Sequence, residues 1–384
     1  MKGCFIAWAT DDATRKRGSS GGFVSAALAA ALDSKLVDNV LVLKKTSPYK
    51  ATQIVTNDPK EVLECAGTLH FVSVNLAKYV PPGRVALPAK PCDAMGIIER
   101  AKRGQLDLDD VYMLGLNCGG SLHPKKAKKM VEEMYDLDPD AVIGEEILKG
   151  ELILKTASGE KALKIDDLEE KGYGRRESCR YCETNIPRMA DLACGNWGLP
   201  ADKLGKATFV EVITDKGEEI FQNAVDTGYV AFEPASDKAI ELRDKIDKVM
   251  KGLAEKWHKR LFEPIEKLSD SERLAFYVDA LSHCIGCGAC RKACPVCTCG
   301  DSAKCLTEGD SNYKIPLFLM VRLLHLMDSC IGCGRCEDVC PAGIPLTLIH
   351  RKFAERMQKK LGYVPGINLD KPPYFEGGRI HEKN

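Results

Sequence analysis

Short apolar runs at 4–7, 40–43, 85–87, 112–116 and 209–213 have the length and punctuation of strands. Between them, apolar positions return with helical spacing at 20–32, 58–64, 92–102, 124–135 and 217–226. This alternation predicts an α/β region over the first 235 residues. The pattern then changes. Segment 236–268 is heavily charged but keeps Ile246, Met250, Leu253 and Trp257 on one helical face, which predicts a helix leading out of the α/β region. Further on, 315–327 is apolar with helical spacing and 346–361 is amphipathic, so the last part of the chain is expected to be mostly helical. The expected organisation is one domain over 1–255, a helical linker over 256–283, a second domain over 284–361 and a tail over 362–384.

Charge and length narrow the classes. The chain has 384 residues, with 55 Lys and Arg balanced by 55 Asp and Glu, so it lacks the positive field of a nucleic-acid binder. Its longest apolar stretches, 23–32 and 315–321, fall short of the ~20 residues that span a bilayer, and residues 1–9 leave no room for a secretory apolar core. A soluble, cytoplasmic protein without a membrane span is expected. In such a chain 18 cysteines point to metal rather than to disulfides.

Eight of those cysteines form two copies of one pattern, each opening with Cys-Ile-Gly-Cys-Gly and closing with Cys-Pro. They are Cys284, Cys287, Cys290 and Cys294, then Cys330, Cys333, Cys336 and Cys340. This is the bacterial ferredoxin spacing, in which the fourth thiolate of each run crosses to the other cluster. One 4Fe-4S cluster is therefore assigned to Cys284, Cys287, Cys290 and Cys340, and a second to Cys330, Cys333, Cys336 and Cys294. The glycines let backbone N–H groups approach the sulfurs. Cys297, Cys299 and Cys305 follow the first run and are open between packing thiols and further ligands.

Four more cysteines lie where an element meets a loop: Cys92 after Pro91, Cys118 after the 112–116 run, and the pair Cys179 and Cys182. The pair needs two more thiolates to hold a metal group, and strand-end cysteines can meet at one edge of a parallel sheet. Spacing alone leaves a third cubane, a zinc ion and buried or redox-active thiols all open. Ser19, Ser20, Gly21 and Gly22 precede an alanine-rich helix and suit a phosphate or pyrophosphate, although an ordinary glycine turn reads equally well. The nicotinamide fingerprint Gly-x-Gly-x-x-Gly does not occur there. No Ser/His/Asp or paired-carboxylate arrangement stands out, so no catalytic side chain is assigned.

The segments Gly18-Ser19-Ser20-Gly21-Gly22, Ala66-Gly67-Thr68, Lys90-Pro91-Cys92, Leu114-Gly115-Leu116-Asn117-Cys118, Ser178-Cys179-x-x-Cys182, Ala190-Asp191-Leu192 and Gly195 resemble the coenzyme F420 hydrogenase/dehydrogenase beta-subunit family. The resemblance implies an α/β domain carrying FAD and a 4Fe-4S cluster, followed here by a mostly helical ferredoxin-like domain with two more clusters. It places the third cluster on Cys92, Cys118, Cys179 and Cys182. It places flavin contacts on Ser19, Ser20, Gly21, Gly22, Gly67, Thr68, His70, Gly195, Asn196 and Gly198. Two positions depart from the family's habit: Asp93 stands where glutamine is usual, and Cys194 where a hydroxyl residue is usual, which leaves open whether Cys194 replaces an assigned ligand.

The C-terminal two-cluster extension resembles the branch of that family found in deazaflavin-dependent formate dehydrogenases. That branch implies a catalytic alpha subunit with a molybdenum or tungsten pterin as partner, coenzyme F420 as substrate, and possible membership of a larger heterodisulfide reductase-type complex. Single electrons from the partner would pass along the clusters to FAD, which exchanges a hydride with the deazaflavin. Two rivals stay beside this reading: an electron-wiring subunit of another complex without deazaflavin activity, and a flavoenzyme that reduces a disulfide or quinone.

Overall fold

The computed structural model describes residues 2–297, 317–367, 369, 371 and 373, so Cys299 and Cys305 lie outside the described residues. Eleven strands occur among them: β1 (Gly3–Ala9), β2 (Asn39–Ser47), β3 (Lys50–Thr56), β4 (Val85–Ala89), β5 (Val111–Leu116), β6 (Val142–Leu148), β7 (Glu151–Thr156), β8 (Gly159–Lys164), β9 (Leu192–Gly195), β10 (Thr208–Val212) and β11 (Val230–Pro234). Eight form one mixed sheet in the order β11-β1-β10-β9-β5-β4-β2-β3, and β6, β7 and β8 form a separate antiparallel meander. The run β2, β4, β5 and β9 is parallel. Strand β10 pairs antiparallel with both β9 and β1, so β1 points the same way as the parallel run.

Alternation along these strands sorts the core into two layers. On one face Val40, Val42, Tyr112, Leu114, Leu192, Cys194, Val210 and Val212 pack under the helices Phe23–Asp33 and Asp215–Asp226. On the other, Leu41, Val85, Leu87, Val111 and Met113 pack under the helix Pro91–Lys102. Four of the five sequence-predicted strands lie within an observed one, and the fifth, 209–213, runs one residue past β10. The pattern reading omitted β3, β6, β7, β8, β9 and β11. In β7 only Leu152 and Leu154 are buried, and β8 is half charged and almost wholly exposed, so hydrophobicity gives little sign of either.

The C-terminal part is helical among the described residues, with Asp270–Ser282, Ala289–Ala293, Leu317–Leu326, Arg335–Asp338 and Leu346–Leu361. The expected boundary after residue 255 falls inside one continuous helix, Asp237–Glu266, whose side chains Arg243, Asp247, Ala254 and Trp257 are buried along its length. The expected tail also begins as packed structure. Tyr363 and Gly366 close over the helix Pro91–Lys102 by hydrogen bonds to the fully buried Glu99, at 2.8 and 2.7 Å.

Candidate functional site

Several of the segments singled out in the α/β part lie at the carboxyl ends of the co-directional strands. The loop 10–22 follows β1, the Cys92 helix follows β4, Asn117 and Cys118 follow β5, and Asn196 follows β9. This is the edge at which open α/β sheets bind ligands, because helix starts and free backbone groups gather there.

The two ferredoxin runs fold alike. Gly286 and Gly288 in the first, and Gly332 and Gly334 in the second, take φ of +72°, +67°, +67° and +74°, a left-handed bend that side chains with a Cβ resist. The Gly286 N–H donates to the sulfur of Cys284 at 3.4 Å, which is the approach the motif anticipates. Cys284, Cys287 and Cys290 line one small cavity together with Cys340 from the other run. The cavity thus brings Cys340 of the second run to the first three thiols of the first. Burial first, and then the neighbouring Cys294, push the thiols of Cys330, Cys333 and Cys336 up. Cys287 is exposed, and its neighbour Ile285 keeps 69 % of its surface in solvent.

A cavity of about 1020 Å³ opens where the two domains meet, and Cys92, Cys118, Cys179 and Cys182 all line it, with Cys333 at the same wall. Burial is the first cause that pushes the thiols of Cys92, Cys118 and Cys182 up to about 12. Cys179 differs: burial works against its thiolate, but the guanidinium of Arg176 holds it below the ordinary thiol range. Among the described residues no three His, Cys, Asp or Glu side chains converge closely enough for a single metal ion. Thiols disposed around a cavity suit a cluster several ångströms across better than one zinc ion.

Two cations support this set. Arg176 donates to the carbonyl of Cys333 (3.1 Å), to Asp338 (2.5 Å) and to Ser121 (3.2 Å), and also reaches the Cys179 sulfur at 3.4 Å. It therefore touches both the third thiol set and the second ferredoxin set. Lys90 is half-buried near Cys92 and Cys118, and although desolvation opposes its charge, Asp93 holds it protonated. Asp93 is itself fully buried, capping the helix at the Lys90 N–H (2.9 Å) and accepting from the Leu76 N–H (2.9 Å). The departure from glutamine thus belongs to a structural ion pair. Cys194 is fully buried on the sheet face opposite the Cys92 helix and does not line the cavity. Cys297 packs with Val296, Leu326 and Ile331.

Contacts tie the segments assigned to flavin to one another. Ser19 accepts from the Thr68 N–H at 2.8 Å, tying the 19–22 loop to the 67–70 segment. Thr208, at the start of β10 next to the end of β9, donates to the Ser20 carbonyl. Gly22 begins the Phe23–Asp33 helix without a side-chain cap. The Nδ1 of His70 and the Nδ2 of Asn117 are buried without a partner, an arrangement that fits a hydrogen-bonding heteroaromatic group. Some glycines serve packing instead. A Cβ on Gly21 would meet the Lys206 carbonyl oxygen at 2.3 Å, and one on Gly198 the Ala239 carbonyl oxygen at 2.6 Å. Gly195 leaves room for Asn117, whose side chain a Cβ would strike at 2.6 Å.

Sequence reasoning passed over Arg176, Lys90 and Asn117 as site residues. All three lie within three residues of an assigned cysteine, which is the signal they offered, but a basic residue near a thiol is common and only the fold aims it.

Fold and residue pattern together define an iron–sulfur class of redox subunit, and the chain belongs to the coenzyme F420 hydrogenase/dehydrogenase beta-subunit family. The family's beta subunit N-terminal pattern matches residues 4–80, its C-terminal pattern residues 83–238, and a 4Fe-4S dicluster domain residues 280–344. More particularly, the chain is similar to the F420-dependent formate dehydrogenase subunit beta of Methanocaldococcus jannaschii, at 43% identity over 96% of this chain and 97% of that one. It is 40% identical to the F420-dependent formate dehydrogenase 1 subunit beta of Methanococcus maripaludis, with 96% of each chain covered. In fold it resembles a chain of the F420-reducing [NiFe] hydrogenase complex from Methanosarcina barkeri, with a TM-score of 0.57 and 22% identity over 68% of this chain and 91% of that one. No helix among the described residues is long and apolar enough to cross a membrane.

Proposed function

We propose that this chain is the coenzyme F420-handling, electron-transferring subunit of a formate dehydrogenase, docked on a catalytic subunit that oxidises formate. The observation that carries the reading is the row of three thiol sets. It begins at the exposed Cys287, continues through the Cys294, Cys330, Cys333 and Cys336 set, and ends at the cavity of Cys92, Cys118, Cys179 and Cys182. Cys333 faces Cys92 at the junction of the last two. Gly195 of the flavin-assigned segments packs against Asn117, the residue before Cys118. The names of the relatives at 43% and 40% identity favour formate as the partner's substrate.

The twelve thiols would hold three 4Fe-4S clusters, which supply one-electron carriage. Ser19, Ser20, Gly21, Gly22, Gly67, Thr68, His70, Gly195, Asn196 and Gly198 would cradle FAD, which when bound supplies exchange between single electrons and a hydride for F420. The chain's own residues do the positioning. The first turn of the Phe23–Asp33 helix offers N–H groups to a pyrophosphate, and the His70 and Asn117 side chains present unpaired buried polar atoms toward the ring system. Arg176 and Lys90 set positive charge against the Cys92 set and so favour its thiolate form. The exposed face around Cys287 and Ile285 is where a donor would dock. A heterodisulfide reductase-type assembly is not part of the proposal.

The test is anaerobic purification of the full chain with its catalytic partner, a count of iron and flavin, and addition of formate with oxidised F420 while its absorbance is followed. Twelve irons, one FAD and formate-dependent bleaching are expected. Clusters without flavin would replace the reading by a wiring subunit, and flavin without bleaching by a flavoenzyme of another acceptor.

A further inference from the structure

Arg322, on the helix Leu317–Leu326, is only 3 % exposed and lies between the two ferredoxin thiol sets. Its Nη2 donates to the carbonyl of Cys290, which belongs to the first set, at 3.2 Å. Its Nη1 lies 2.6 Å from His350 Nε2 on the helix Leu346–Leu361. A guanidinium has donors only, so His350 accepts there, and its ring is neutral with the proton on Nδ1. The third nitrogen, Nε, is buried without a partner. Both hydrogen-bond partners of this cation are therefore uncharged. The groups whose charge would act on it most strongly are Cys294 and Cys336 of the second set and Cys290 of the first, with Cys297 beside them.

A buried guanidinium that lacks a counter-ion costs several kilocalories, and proteins keep such charges only where an opposite charge sits nearby. Here that charge comes into being when thiolates and clusters occupy the two sites. We propose that Arg322 is the shared counter-charge of the two ferredoxin clusters, a positioning residue whose fixed charge, held in place by His350 and the Cys290 carbonyl, favours the added electron on either one. Each cluster gains one unit of negative charge when it accepts an electron from the donor before it. A cation between them offsets that gain at both sites alike, which keeps the two potentials high and close together, as a relay requires. The inference rests on the reading above that both sets carry 4Fe-4S clusters.

The test compares the wild-type chain in its complex with Arg322→Gln and Arg322→Lys by iron count and by redox titration followed with electron paramagnetic resonance. The cluster of the Cys92 set is identified by its loss in Cys179→Ser. Arg322→Gln should retain its iron and shift both ferredoxin midpoints downward by about tenfold in reduced-to-oxidised ratio, about 59 mV for one electron, leaving the Cys92-set cluster in place. Arg322→Lys should restore most of the shift. Unmoved ferredoxin midpoints, or a Lys variant displaced as far as the Gln variant, overturn the inference. If Arg322→Gln sheds ferredoxin iron, retention of iron by Arg322→Lys supports a counter-charge, and loss from both overturns it. Absence of the ferredoxin clusters from the wild-type chain would instead refute the underlying reading.

Discussion

Replacing Arg176 with methionine removes the guanidinium that joins the two domains at the site while keeping most of the side chain's volume. Arg176 and Asp338 have side chains only 8% and 10% exposed, and breaking such a buried pair costs about 3–5 kcal/mol when the remaining charge is stranded. Asp338 is not wholly stranded, because Arg335 Nη1 stays 3.0 Å from the same carboxylate oxygen. What remains is the loss of donors to the Cys333 carbonyl and the Ser121 hydroxyl, each a buried acceptor worth about 1–3 kcal/mol if left unmade. A local cost of about 3 kcal/mol follows. Amide exchange read by mass spectrometry should then quicken by roughly a hundredfold in 119–123 and 330–338, since each 1.4 kcal/mol is about tenfold, with segments such as 220–230 unchanged. Arg176→Lys should recover only part, because an ammonium cannot bridge three partners in the guanidinium's fork. Unchanged exchange in both segments of Arg176→Met would refute the idea that this side chain clamps the domains.

Other consequences are as direct. Cys179→Ser should remove four irons and Cys194→Ser none, by anaerobic iron analysis, because Cys194 sits on the opposite sheet face. Glu99→Ala leaves Lys102 and Arg103 without their buried carboxylate, and it should cost about 3–5 kcal/mol and free the chain from residue 363 onward for limited proteolysis. Burial lowers His70 to about 4 from an unfolded value of about 6.5, so the unfolded chain binds the extra proton between those limits. Stability is therefore complete above pH 6.5 and declines as pH falls toward 4, by up to about 3 kcal/mol, and His70→Gln should flatten that part of a urea-denaturation pH profile. Gly195→Val should displace Asn117 and lower the FAD-to-iron ratio at constant iron. Gly21→Val is a poorer probe, because its side chain would collide with backbone at Lys206 before it could meet a ligand.

The spacing of cysteines determined the ferredoxin half almost unaided. A C-x2-C-x2-C-x3-C-P run is a local instruction, since thiols and left-handed glycines a few residues apart can wrap only in a few ways, and Cys340 of the second run does reach the cavity of the first. Apolar periodicity likewise marked the central strands β1, β2, β4, β5 and β10, which are buried on both faces. It missed β9, a strand of four residues, and the charged meander β6 to β8, where pairing rather than burial makes the strand. The third thiol set was legible as residue types but not as a site. Cys92, Cys118 and the Cys179–Cys182 pair are separated by long stretches of chain, and they meet only because β4 and β5 are adjacent and parallel and the 176–182 segment folds back across their ends. The surroundings of Asp93, Cys194, Arg176 and Arg322 are visible only in the tertiary structure. An ionisable side chain near a cysteine in sequence can point at a thiol set, at a helix end or into the core, and sheet face, helix phase and domain contact decide which, none of which is encoded in local spacing.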